Sequence, residues 1–188
     1  ATRQDDRHVL GANGRGALGV LPLEGRHERV RGFEGLPGSI FAALDGFEHA
    51  GTSFNGDVAN FGSITAGFTG IRISVETFEG DVTNTGQIAG AGGSGLVISA
   101  TSSITGAGGE IPSQIHNTGI INAAGVGLRI HADNVLADVT NDSSDPLLFP
   151  PGEITSQSGA AVVLSANTSW VGNITNDGTV SGLRDMIV

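Results

Sequence analysis

The sequence predicts an all-β fold: a right-handed parallel β-helix (solenoid) of about 24-residue coils, with an N-terminal cap containing a short helix. Two recurring phrases and an excess of glycine carry this expectation. Glycine accounts for 31 of 188 residues, more than twice its ordinary share of about 7%. Proline is low at 6, and nothing in the glycine spacing suggests collagen. Many glycines with few prolines suit tight turns between short strands.

The first phrase reads β-branched, any, Asn, any, Gly, any, β-branched. It occurs at Val58–Ile64, Val82–Ile88, Ile115–Ile121 and Ile174–Val180. A fifth copy, Val139-Thr140-Asn141-Asp142, breaks off and resumes at Gly152-Glu153-Ile154. The second phrase is a small residue followed by apolar-x-apolar. It appears as Gly70-Ile71-Arg72-Ile73, Gly95-Leu96-Val97-Ile98, Gly127-Leu128-Arg129-Ile130 and Ala161-Val162-Val163-Leu164. Alternation with period 2 marks each phrase as strand. A unit this short cannot bury its apolar side alone and has to lie against its neighbours. Adjacent units sit about 4.8 Å apart, so five of them span on the order of 25 Å. The recurring Asn is expected to form a ladder of amides and the recurring Gly to turn the chain.

The asparagines stand at Asn60, Asn84, Asn117, Asn141 and Asn176. Two of the four steps are 24 residues and two are longer. The excess falls near 101–112, rich in Ser, Thr and Gly, and near 142–151, with Ser-Ser-Asp-Pro and Pro-Pro. Such clusters read as loop insertions. The chain therefore divides into an N-terminal arm or irregular segment (1–32), a capping segment with a short helix (33–54) and the repeat region (55–188). In the arm, Gly11 to Gly19 reads as a loop, Val20 to Leu23 as a strand, and Arg26 to Arg31 as a solvated basic run. The cap helix is placed at Ser39–Phe47. Ser39 would cap it, and Ile40, Leu44 and Phe47 would share one face. Seven of the eight Phe lie between positions 33 and 78, which suits a bulky cap.

All nine basic residues are Arg, six of them within the first 31 positions, and the net charge is −10. An acidic body repels phosphate backbones, which argues against nucleic acid as a partner. Cysteine is absent, so no disulfide frame or thiolate metal site is available. No apolar run approaches the roughly 20 residues of a membrane-spanning helix.

The phrases around Val82–Ile88, Gly95–Ile98 and Ile174–Val180 resemble the degenerate repeats of autotransporter passenger domains and related bacterial surface adhesins. The likeness covers about residues 55 to 183. It implies export to the bacterial cell surface or secretion, and a role in adhesion or display. The partner would be a host or cell-surface protein or a glycan.

No residue is singled out as catalytic, cofactor-binding or metal-ligating, and no cofactor is expected. His8, His27, His49, His116 and His131 show no metal-ligand spacing, and no G-x-S-x-G elbow occurs. The oxygen-rich stretches Asp133-Asn134, Asp138 and Asn141–Asp145 lack the order of an EF-hand loop. Asp57 and Asp81 occupy equivalent places, followed by Gln114, Asp138 and Asn173; a hydrated stripe explains this row better than a catalytic pair. Thr83, Thr140 and Thr175 align, but Ala59 and His116 interrupt them, so a flat ice-binding array does not form. Arg72 and Arg129 share a position with Val97 between them. The leading expectation is a non-catalytic surface or secreted protein, not an enzyme. One alternative is a filament subunit that stacks end to end as a homo-oligomer. The other is a carbohydrate-active enzyme.

Overall fold

The computed structural model describes residues 30–31, 39–142 and 152–187. Its strands, in chain order, are β1 (Val30–Arg31), β2 (Ser39–Ala42), β3 (Phe47–Ala50), β4 (Ser53–Asn55), β5 (Val58–Asn60), β6 (Ser63–Ala66), β7 (Ile71–Glu79), β8 (Val82–Asn84) and β9 (Gln87–Gly90). They continue with β10 (Leu96–Thr105), β11 (Ser113–Asn117), β12 (Ile120–Ala123), β13 (Leu128–Asn141), β14 (Glu153–Ser156), β15 (Ala160–Val171), β16 (Ile174–Asn176), β17 (Thr179–Ser181) and β18 (Arg184–Ile187).

Every pairing among them is parallel, and the sequence repeat sets the register. The first phrase pairs as Val58↔Val82↔Ile115↔Val139↔Ile174. Its second half pairs as Ile64↔Ile88↔Ile121↔Ile154↔Val180. The second phrase pairs as Ile71↔Leu96↔Leu128↔Val162. In the central strands the aliphatic positions of the phrases face inward and their neighbours face out, as in β13 with its alternation of buried and accessible residues. Inside, like stacks on like. Ile73, Ile88, Ile98, Ile121, Ile130 and Leu164 are fully buried. Phe54 stacks on Phe78 with ring centroids 5.4 Å apart. Burial of an Ile or Leu side chain is worth about 1.5–3 kcal/mol.

The expected right-handed solenoid of separate coils is not the form taken. The parallel sheets instead curl into a half-barrel. The 14-residue strand β13 joins two of the expected faces. Its first part, from Leu128, pairs with β10 and β15, and its last part, to Asn141, pairs with β11 and β16. The result is one continuous 12-stranded sheet beside a 6-stranded one.

The cap helix is also corrected: no helix occurs among the described residues. Ser39–Ala42 is strand β2, whose Ile40 pairs with Ile64, and Phe47–Ala50 is strand β3, paired with β7. Two features defeat the helix. Gly46 interrupts it, where an added Cβ would lie 2.4 Å from Ile64 Cγ2. Also, Ile40 and Ala42 fit an i, i+2 pattern that a ready-made parallel edge can pair. Leu44, expected on the buried face, is 75% exposed.

The insertion expected at 101–112 is shorter than that. Thr101–Thr105 belong to β10, and the loop proper covers 106–112, closed by Gly106 N–H donating to Ile111 O at 2.8 Å. Gly108 and Gly109 have φ of +81° and +75° there, which glycine adopts without strain. Most of the second insertion (143–151), the arm's Gly11–Gly19 loop and Val20–Leu23 strand, and the basic run up to Arg29 lie outside the described residues.

Candidate functional site

Three polar systems run across the repeats, and each follows from register. The innermost is the asparagine ladder. Asn60 Nδ2 donates to Asn84 Oδ1 at 2.8 Å. Asn84 then donates to Asn117, Asn117 to Asn141 and Asn141 to Asn176, each at 2.7 Å. Asn84, Asn117 and Asn141 are buried. The Asn-x-Gly spacing has a direct cause. The Asn60, Asn117 and Asn176 amides also donate to the carbonyls of Gly62, Gly119 and Gly178, two residues on. Gly is needed at that corner because a Cβ on Gly86 or Gly119 would lie 2.0 Å from the carbonyl oxygen of the corner before it.

The second system is the acidic row. Asp57 Oδ1 accepts from Asp81 N–H at 3.1 Å, and Asp81 Oδ1 from Gln114 N–H at 2.7 Å. Asp138 Oδ1 accepts from Asn173 N–H at 2.8 Å, while Gln114 Nε2 donates to its other oxygen at 3.1 Å. Each carboxylate caps the strand start of the following repeat. The bonds from Asn173 and Gln114 hold the Asp138 carboxyl below the usual aspartate range. Sequence patterning aligned these residues; it did not reveal that one oxygen of each carboxylate accepts from the backbone of the next repeat.

The third system lies on the outer side of β7, β10, β13 and β15. Arg72 Nε donates to Asp45 Oδ2 at 2.8 Å, and its Nη2 to Thr69 Oγ1 at 2.8 Å. The guanidinium carbon lies 5.7 Å from the Phe68 ring centroid, within cation–π range. Asp45 Oδ1 also accepts from Thr69 N–H. Further along, His131 Nδ1 and Ser165 Oγ are 2.9 Å apart. Asn167 Nδ2 donates to Asp133 Oδ1 and Ser169 Oγ to Asn134 Oδ1. Arg129 is exposed one repeat beyond Val97.

His116 takes the outward position paired with Thr83 and Thr140. His49 lies edge-on to Phe54, with ring centroids 5.0 Å apart. Among the described residues no group of three or more His, Asp or Glu is placed to hold a metal. His8, His27 and Ser143–Asp145 lie outside the described residues. The Arg72 clamp was missed in the sequence, because its carboxylate, Asp45, sits in the stretch read as a helix.

No family model matches the chain, and neither any curated protein nor any solved structure matches it.

Proposed function

We propose that the protein is a non-catalytic scaffold that presents a surface, acting in adhesion or display at a bacterial cell surface or in secreted form. Its partner would be a host or cell-surface protein or a glycan. One observation carries the reading. The carboxylates of the acidic row each use an oxygen to hold the next repeat, Asp57 Oδ1 with Asp81 N–H, Asp81 Oδ1 with Gln114 N–H and Asp138 Oδ1 with Asn173 N–H, a structural duty that a paired catalytic acid and base would not share. A general acid or base needs an oxygen facing substrate. What remains outward is a regular array of hydroxyls, amides and scattered charges on rigid strands, which suits recognition. The extracellular setting rests on the resemblance of the repeat phrases.

The test is to pass purified protein over immobilised polysaccharides and cell-surface extracts, measuring both retention and newly released sugar ends. Retention without turnover supports the scaffold. Turnover that disappears in Asp81→Asn would establish a carbohydrate-active enzyme instead, and failure to bind any surface would remove adhesion.

A further inference from the structure

The two edges of the parallel sheets match each other. Among the described residues, β16, β17 and β18 at the C-terminal edge each pair on one side, with β13, β14 and β15. Among the described residues, β1, β2, β3 and β4 at the N-terminal edge likewise pair on one side, with β5, β6 and β7. The rows that run between them define which residue at one edge corresponds to which at the other. Ser39 heads the row that ends at Thr179, Ile40 the row that ends at Val180, and Phe47 the row that ends at Met186.

The corner between the two sheets shows the same match. Phe68 N–H donates to Leu44 O, Gly125 N–H to Gly93 O and Leu183 N–H to Gly159 O. A Cβ on Gly93 would lie 3.2 Å from Phe68 O. Leu44, Phe68, Gly93, Gly125, Gly159 and Leu183 therefore occupy one corner row. Glycine fills its middle, and large apolar residues stand only at its two ends. Leu44 and Leu183 are each 75% exposed and Phe68 is 48% exposed. Beside Leu183, exposed Arg184 pairs with Ala160. That places it in the row that Asp45 opens at the other edge, two residues before Phe47 as Arg184 is two before Met186.

We propose that a second copy of this chain docks on the β16–β17–β18 edge with its own β1–β4 edge, head to tail and in the register of the internal repeats. Leu183 then packs against Leu44 of the partner subunit, extending the Leu44–Phe68 neighbour relation already present within one chain. Val180 continues onto the partner's Ile40. Arg184 falls in the row of the partner's Asp45, whose carboxylate its own Thr69 and Arg72 already engage; a glutamate at 184 would bring a like charge to that row. Asn176, the last amide of the ladder, is exposed, and among the described residues its amide donates to Gly178 O. A contact of this kind uses two different edges at opposite ends of the sheets, so each added copy leaves an edge for the next and the assembly grows as a filament. It is independent of the adhesion reading, which a monomer satisfies equally.

Sedimentation velocity of the full chain over a concentration series tests it. The expected result is a weight-average mass that rises with concentration. Leu183→Asp and Arg184→Glu should each weaken association at least tenfold while leaving the melting temperature unchanged, because both side chains are exposed in the monomer. Ile111→Asp, at an exposed apolar residue on the 106–112 loop and away from both edges, should associate like the parent. A single monomer mass at every concentration overturns the proposal. So does assembly that survives both edge variants, or assembly that is lost only in Ile111→Asp.

Discussion

Asn84 passes on to Asn117 the same amide hydrogen bond that it accepts from Asn60: Nδ2 of each residue donates to Oδ1 of the next, at 2.8 and then 2.7 Å. All four bonds in the ladder point the same way along the repeats. Aligned amides polarise one another, and in a buried setting each member depends on both neighbours.

Asn117→Ala should therefore cost more than one hydrogen bond. It leaves Asn84 Nδ2 without its main acceptor and Asn141 Oδ1 without its donor, both buried. Each orphaned buried polar group costs about 1–3 kcal/mol. The expected loss is roughly 2–4 kcal/mol, read from urea midpoints. Asn176→Ala, at the exposed end of the ladder, should cost under about 1 kcal/mol. Equal losses at the two positions would mean that the ladder does not act as a buried network.

Asp138 supplies a pH signature. Its carboxyl is held below the usual aspartate value, chiefly by Asn173 N–H and then by Gln114. A depressed folded-state pKa gives stability that is present above the unfolded value of about 3.9 and is lost as pH falls through the lower folded value. Asp138→Asn should lower the melting temperature slightly at pH 7. The gap between variant and parent should narrow as pH falls from 7 through the aspartate range. A gap that stays constant across that range would show that the contact does not depend on charge.

Strand positions and register could be read from the sequence because the repeat is written in residues with one physical purpose, whereas the curl of the sheets into a half-barrel could not. The β-branched positions announced the inward rows, and the Asn-x-Gly spacing announced the ladder and its turn. The failures came where local pattern and tertiary pairing disagree. Ile40, Leu44 and Phe47 have helical spacing, but a neighbouring β6 and β7 offer Ser39–Ala42 and Phe47–Ala50 a parallel partner. The continuous bend of β13 was invisible for a similar reason. Its phrases look like separate strands, and no proline interrupts Leu128–Asn141 to signal where a face ends. The acidic row was legible as an alignment but not as a set of caps, since the acceptors' partners are backbone N–H groups that carry no sequence mark.

Gly95 tests how tightly the corners close. A Cβ there would sit 2.3 Å from Ile121 Cγ2 and 2.7 Å from Gly127 O, and backbone cannot yield cheaply. Gly95→Ala should destabilise by about 1–3 kcal/mol, as overpacking of a core does. Gly51→Ala is the contrast: its Cβ would meet only His49 Nε2, at 3.5 Å, an ordinary contact, and its stability should stay within about 0.5 kcal/mol of the parent. Thermal melts of the two variants side by side distinguish crowding from a general cost of replacing glycine.

Trp170 ends the aromatic and aliphatic row of Phe54, Phe78, Ile104 and Val135. It packs against the core, yet its buried Nε1–H has no hydrogen-bond partner among the described residues. A buried donor without an acceptor is a cost that a purely apolar ring does not carry. Trp170→Phe removes that donor and keeps most of the packing, whereas Trp170→Ala removes both. Trp170→Phe should therefore be neutral or stabilising by up to about 1 kcal/mol, and Trp170→Ala should lose about 2–4 kcal/mol. Urea unfolding followed by circular dichroism measures both, and the parent's only tryptophan reports the same transition by fluorescence. If Trp170→Phe loses as much as Trp170→Ala, the indole N–H has an acceptor in solution and the row ends on a hydrogen bond.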